Sequence, residues 1–224
     1  MSLQLEDENY LNAEAEKARQ SKEAAEGAWR ARDRVRVASI RRTLEEMANG
    51  RQYCMYCGDN EATDIEHFYP RSTYHEQTFT WVNWLLACSF CNSNRKRNRF
   101  PVTAGTPDLI DPTVEDPRTD LSVDLVLGEI TARTRRGLVN IEIFDLNRDR
   151  LTRGRRDAAV TFSSLVVDYV RLVDARPKQA SLVLETLQSG PFAEVRHYIK
   201  ELAKIGSTFV DAEVASALDD YPEL

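Results

Sequence analysis

The sequence lacks a long hydrophobic run, a cysteine outside two short motifs and a surplus of positive charge. No apolar stretch in its 224 residues approaches the ~20 residues of a transmembrane helix, so no membrane span is expected. The acidic N-terminus, Met1–Glu8, contains no apolar segment typical of a secretory signal. The net charge of −6 argues against a general polyanion binder, but nucleic-acid binding depends on where the positive charge lies.

All four cysteines occur in two Cys-x-x-Cys motifs, Cys54/Cys57 and Cys88/Cys91. Two such motifs are typical of a structural zinc site, in which four thiolates complete a tetrahedron and leave no open coordination position. Disulfide frameworks favour short secreted chains, so we expect a metal site in a cytoplasmic protein. A redox function is the alternative, but the strand–helix context of thioredoxin-like proteins is missing.

The pattern of apolar residues predicts a mainly helical chain around this cysteine module. Residues 1–50 are expected to form an N-terminal helical segment, because residues 8–48 are rich in alanine, contain no proline and precede the helix stop Gly50. This segment either covers a core or binds a partner. The cysteine module itself takes up residues 51–100.

The second half of the chain divides at about residue 147. Four prolines, followed by alternation around Gly128, predict an irregular linker with a weak hairpin over residues 101–146. Residues 147–224 have helical periodicity and are expected to form a C-terminal helical region, in which Pro191 is a good first residue for one helix.

A Glu-His pair, Glu66–His67, lies between the two cysteine motifs. If the pair lies on a strand, its side chains point to opposite faces and can divide metal binding from proton transfer. An imidazole can take a proton from water near neutral pH, and a carboxylate suits Mg²⁺. The alternative is an ordinary surface glutamate beside a partly buried histidine.

Two asparagines stand near this pair in the sequence. The amide oxygen of Asn92, directly after Cys91, can be a second ligand of a divalent ion, and the side-chain carbonyl of Asn83 can accept the ring N–H of His67. A turn or cap role is the alternative for either asparagine. The neighbouring Trp81 and Trp84 fit core positions better than base-stacking platforms.

A basic run follows the second cysteine motif and places four positive charges in the five residues from 95 to 99. Such runs are usually solvated, but this one lies close to the predicted metal site, where a phosphate would have to lie. We therefore predict phosphate contacts from the run and from one arginine after the Glu-His pair: Arg71, Arg95, Lys96 and Arg97.

The order of these residues resembles the HNH nuclease superfamily in its four-cysteine form. The resemblance implies a small ββα-metal finger with structural Zn²⁺ inside a mainly α chain with helical N-terminal and C-terminal parts. It also implies His67 as the general base, Asn83 as the residue that orients it, and Glu66 and Asn92 as ligands of catalytic Mg²⁺ or a similar ion. Asn92 replaces the family's usual histidine, and Glu66 replaces the commoner aspartate.

A narrower resemblance extends over about residues 54–155 and rests on Asp64–His67, Arg99–Pro101, Leu109–Pro112 and Leu146–Arg148. These segments are similar to the PtuB-like HNH subunits of Septu-type anti-phage defence and of certain retron systems. The resemblance implies an ATPase partner of the ABC/SMC type and a nucleic-acid substrate, with DNA favoured over RNA. Two alternatives stay open: a non-catalytic zinc-finger module that binds nucleic acid or a protein, and a nuclease that is silent outside its complex.

Overall fold

A computed structural model describes residues 2–48, 51–59 and 61–224. The N-terminal segment forms three helices instead of one continuous helix: α1 (Leu5–Ala18), α2 (Lys22–Arg30) and α3 (Arg34–Met47). The breaks have a local cause, because the Ser21 hydroxyl accepts a hydrogen bond from the Ala24 N–H and the Asp33 carboxylate accepts one from the Val35 N–H. Both side chains begin new helices as N-caps. The predicted stop at Gly50 lies outside the described residues.

The N-terminal helices cover the cysteine module. Helices α1 and α2 pack on each other and on a 3₁₀ turn, His75–Gln77, whose His75 Nδ1 lies 3.0 Å from the Ala18 carbonyl oxygen. Helix α3 packs against the second strand of the module and buries Ile40. These contacts favour the expectation that the segment covers a core.

The module has the predicted order of hairpin, loop and helix. Strand β1 (Asp64–His67) pairs antiparallel with β2 (Trp84–Ala87), and His67 lies opposite Trp84. The chain then enters a π-helix, Phe90–Lys96, where an α-helix was expected. An i→i+5 bond of 2.8 Å from the Arg97 N–H to the Asn92 carbonyl closes its wide turn, a form that recurs at functional sites. The mainly α fold with a small ββα module is thus confirmed.

The segment from 101 to 146 contains more structure than an irregular linker. A short hairpin joins β3 (Val102–Thr103) to β4 (Thr106–Pro107), and the expected hairpin is present as β5 (Leu121–Val123) with β6 (Ile130–Ala132). Helix α4 (Arg135–Phe144) was not expected.

Tertiary contacts stabilise α4 and explain why periodicity alone missed it. The Asn140 side chain accepts a hydrogen bond from the Ile110 N–H at 3.0 Å and donates one to the Asp108 carbonyl at 2.9 Å. Arg136 pairs with Glu115 at 2.8 Å. The polar opening of α4, Arg135-Arg136-Gly137, therefore draws stability from a partner that lies 21 residues earlier in the chain.

Four helices complete the chain: α5 (Asp149–Leu172), α6 (Pro177–Ser189), α7 (Ala193–Lys204) and α8 (Ala212–Asp220). Pro191 is not the first residue of α7, because Phe192 adopts a left-handed conformation with φ 55° and the helix begins after it. None of the helices in the described ranges combines the length and apolarity needed to cross a bilayer.

The C-terminal helices dock on the first cysteine motif. The Phe192 N–H donates to the Gly58 carbonyl at 3.0 Å, and the Phe192 ring packs so closely on Gly154 that a Cβ there would lie 2.5 Å from it. The buried Arg155 guanidinium binds the Glu194 carboxylate at 3.1 Å and the Leu146 carbonyl at 2.8 Å. The turn around Cys57 is therefore part of the interface with α5 and α7.

Candidate active site and metal centre

The four cysteine sulfurs converge as predicted. All four residues are buried, and the sulfurs lie within 4.8 Å of one another. A zinc tetrahedron with Zn–S bonds of about 2.3 Å has S···S edges of about 3.8 Å, so small adjustments suffice for a Zn²⁺ ion. The hairpin brings the two motifs together, because the Met55 N–H donates to the Leu86 carbonyl at 2.9 Å.

The electrostatics of the four sulfurs also fit a bound cation. A hydrogen bond with Cys54 holds the pKa of Cys88 far below its usual range, whereas the hydrogen bond from Cys54 raises the pKa of Cys91. Four thiolates at this spacing cannot all be charged without a positive ion between them. The cluster therefore fits a bound divalent metal, which would release the remaining thiol protons.

His67 is buried at the end of β1, and its protonation is well defined. Its Nε2 lies 2.9 Å from the Thr78 carbonyl oxygen, which also accepts the Trp84 indole N–H at 2.8 Å. A carbonyl only accepts, so Nε2 carries the proton of the neutral ring and Nδ1 is left as the acceptor. Burial, and then the charge of Arg71, lowers the pKa of His67 to about 3, so the ring is neutral at pH 7.

The predicted bond between Asn83 and His67 is wrong. The Asn83 amide oxygen accepts the Tyr69 N–H at 2.6 Å, and its Nδ2 donates to the carbonyls of Tyr69 at 3.2 Å and Gln77 at 3.0 Å. Asn83 is buried at the end of the loop between β1 and β2, so its amide is satisfied by that loop's own backbone. Asn83 thus braces the loop, and the Thr78 carbonyl fixes the tautomer of His67.

Glu66 has a partner that the sequence did not indicate. Lys96 Nζ lies 2.5 Å from Glu66 Oε1 and donates to the His67 carbonyl at 2.8 Å. Burial raises the pKa of Glu66 and lowers the pKa of Lys96, while the attraction between the two charges opposes both shifts. Lys96 is fully buried, so the prediction that it contacts phosphate is wrong.

Asn92 lies on the π-helix beside β1. Its Nδ2 donates to an Asp64 carboxylate oxygen at 3.0 Å, and this bond does not use the amide oxygen. Asn92, Glu66 and His67 line one cavity of about 420 Å³. Lys96 engages one Glu66 oxygen, and a carboxylate has a second. The two oxygen donors, Glu66 and Asn92, therefore fit a hard divalent ion.

The predicted phosphate ligands separate into two groups. Arg71 and Arg97 line the cavity that contains His67. The Arg95 guanidinium instead donates to the carbonyls of Glu142 at 2.8 Å and Ile143 at 3.2 Å, near the end of α4. Because the last carbonyls of a helix have no partner within it, Arg95 caps α4, and it is not among the residues that line the cavity.

Helix α2 contributes side chains that sequence reasoning missed. The Trp29 ring meets the His67 imidazole edge-on at a centroid distance of 4.8 Å, and Glu26 and Arg30 line the same cavity. A lone tryptophan in a charged, alanine-rich helix was the available signal. It marks the place where α2 enters the site.

Comparison with known proteins identifies the same segment. The HNH endonuclease family model matches residues 54–98. The Septu protein PtuB of Bacillus thuringiensis is 28% identical over 123 residues, which cover 50% of this chain and 43% of that protein. The chain thus matches less than half the length of this relative, and no solved structure matches it. Residues 54–98, which hold the four cysteines, Glu66, His67, Asn83 and Asn92, are thereby confirmed as resembling the HNH endonucleases.

Proposed function

We propose that the chain is a metal-dependent endonuclease of the HNH type that hydrolyses phosphodiester bonds, with DNA favoured over RNA. The observation that carries this proposal is the state of His67. The ring is neutral, its Nε2 proton is fixed by Thr78, and it lines one cavity with Glu66 and Asn92. This combination suits a general base beside a metal-binding carboxylate.

Each residue has a role in the proposed reaction. His67 Nδ1 takes a proton from the attacking water, and Arg71 and Arg97 hold the phosphate oxygens. A bound phosphodiester would offset the Arg71 charge, which raises the pKa of His67 towards the range of an effective base. As the water oxygen bonds to phosphorus, the P–O bond to the leaving oxygen breaks. Glu66 and Asn92 would hold Mg²⁺ or a similar ion, which would neutralise charge on the phosphate and on that leaving oxygen.

Plasmid nicking by the purified protein tests this proposal. Activity should require a divalent ion, and His67→Ala should abolish it while zinc content and fold are retained. The control is His197→Ala, because His197 is exposed on α7, and this variant should keep wild-type activity. Equal nicking by His67→Ala and the wild type would remove His67 from its assigned role.

We further propose that the chain works with an ATPase of the ABC/SMC type in anti-phage defence. The similarity to a Septu PtuB protein supports this role. An ATPase gene beside the gene for this chain, and nicking that increases when the two proteins are purified together, are the expected results. Wild-type activity that is indifferent to such a partner would argue against a joint function.

A non-catalytic zinc-finger module is the second candidate, and the Glu66–Lys96 pair is the observation that favours it. A lysine that already neutralises Glu66 reduces the need for a catalytic ion there. Nucleic-acid binding without cleavage, both alone and with the partner, would select this candidate. Mg²⁺-dependent nicking that Glu66→Gln abolishes would select the nuclease.

A further inference from the structure

Helix α2 lies outside the matched segment 54–98 but faces the cavity that contains His67. Its Trp29 is the centre of an aromatic cluster, with the His67 ring at 4.8 Å and the Trp84 ring at 5.5 Å, both edge-on. The indole is therefore held by the core of the module, and it fixes the last turn of α2 beside the predicted base.

Two guanidinium groups pack on this indole. Arg32 Cζ lies 4.4 Å from the Trp29 ring centre, and Arg71 Cζ lies 4.6 Å from it. Both distances are within cation–π range, and a planar guanidinium stacks well on an aromatic surface. These two distances can be added to the 4.8 Å between the Trp29 and His67 ring centres. Each guanidinium carbon therefore lies less than about 10 Å from the imidazole centre.

Across the residues that the structure describes, neither Arg32 nor Arg71 has a carboxylate within ion-pair distance. Burial lowers the pKa of Arg71, and Glu66 and Glu26 oppose that shift from farther away. The acids that line the cavity are Glu66, which is bonded to Lys96, and the exposed Glu26. Arg71 is partly buried, and a buried charge beside a like charge is unfavourable unless an anion joins them.

We propose that Trp29, Arg32 and Arg71 form a phosphate clamp that binds the backbone of a nucleic-acid strand next to His67. Trp29 positions the two guanidinium groups, and the guanidinium groups contact the phosphate. The clamp takes its ligand class from the proposed function, but it requires binding alone and no cleavage. It gives the N-terminal helices a place in substrate recognition, since Arg32 belongs to the α2–α3 connection and not to the HNH segment.

Binding of short fluorescent DNA duplexes, in a zinc-containing buffer without magnesium, tests the clamp over a range of salt concentrations. Arg32→Gln and Arg71→Gln should each weaken binding several-fold and reduce the slope of log K against log salt by about 0.9 per lost contact. The matched control is Arg34→Gln, since Arg34 is exposed at the start of α3 and undergoes the same change of charge. This control should keep the wild-type slope.

Two further variants test whether misfolding, and not the loss of the clamp, causes the weaker DNA binding. Arg32→Lys keeps the charge but loses the planar stack, so it should recover the salt slope and only part of the affinity. Trp29→Phe keeps an aromatic ring in the cluster and should give a smaller loss than Arg32→Gln. Both should unfold near the wild-type temperature. A Trp29→Phe protein that unfolds normally but binds as well as the wild type would overturn the role given to Trp29.

The remaining outcomes separate the clamp from the proposed cleavage. Equal losses on DNA and on RNA of the same length support backbone recognition, and a loss on only one of them overturns it. The clamp is also overturned if Arg32→Gln and Arg71→Gln bind DNA with the same affinity as Arg34→Gln, or if the wild type does not bind DNA at all. A wild-type protein that binds through the clamp but never nicks plasmid, either alone or with its partner, would refute only the nuclease.

Discussion

At the residue scale, the buried pair of Glu66 and Lys96 predicts a large effect on stability. Lys96→Met should lower the free energy of unfolding by about 3–5 kcal/mol, because it leaves a buried carboxylate without its partner. Urea denaturation measures the loss. The double variant Glu66→Gln/Lys96→Met should recover much of it, and Lys178→Met, at an exposed position on α6, should be neutral. A neutral Lys96→Met would show that the pair contributes little.

The buried ring of His67 predicts a pH dependence of stability. In the unfolded chain its pKa is about 6.5, whereas in the folded protein it is about 3. The neutral form is therefore favoured by folding. The stabilisation that comes from burying the neutral His67 ring is complete above pH 6.5 and is lost as the pH falls towards 3.

Between pH 7 and pH 5 the free energy of unfolding should fall by about 2 kcal/mol through His67 alone. The measurement compares denaturation of the wild type and of His67→Gln at both pH values with saturating zinc, so that proton uptake by the cysteines cancels. The wild type should lose more stability than the variant. An identical pH slope in the two proteins would contradict a depressed pKa.

The residue types at the site could be predicted from the sequence, but their partners could not. The order of cysteines, Glu66, His67 and Asn92 was sufficient to predict one site around a zinc module. The Thr78 carbonyl could not be predicted as the partner of His67, because every residue has a carbonyl and only the fold determines which one lies beside the ring. Lys96 was misassigned because a charge run does not reveal which of its members turns into the core.

At the element scale, the four-cysteine cluster joins the hairpin to the π-helix. Cys88→Ser removes one of the four ligands, so the protein should lose its zinc and most of its folded structure, since a small module gains folding free energy from its metal. Metal analysis and circular dichroism measure both effects. Ser89→Ala, at the exposed neighbouring position, is the control. A stable, active and zinc-free Cys88→Ser protein would refute a structural zinc.

The helices differ in how well their sequences predicted them. Helices α5 and α6 lie in the predicted C-terminal helical region, where the apolar residues recur with helical spacing because one face of each helix packs on its neighbours. The N-terminal segment was predicted as one helix, but the structure has three, since the N-caps Ser21 and Asp33 were overlooked. Helix α4 was missed because its opening is polar and long-range contacts through Arg136 and Asn140 add to the burial of Phe144 in holding it in place.

At the scale of the whole molecule, Arg155 connects the C-terminal helices with the rest of the chain. Arg155→Ala should destabilise the protein by about 3–5 kcal/mol, because the Glu194 carboxylate and the Leu146 carbonyl lose a buried partner. Denaturation should still show one transition, with zinc release coincident with loss of helix. The control Arg156→Ala, at an exposed position, should be close to neutral. Zinc release well before helix loss would show that module and helices unfold separately.

The contact between Phe192 and Gly58 has a consequence for protein engineering. A chimaera that receives residues 54–98 alone would expose the Gly58 carbonyl, which the Phe192 N–H occupies here, and would lack the Trp29 side of the cavity. The smallest transplantable unit is therefore much larger than the motif that identifies it. Such a graft should fold only in a recipient protein that already contains a compatible pair of helices in place of α5 and α7.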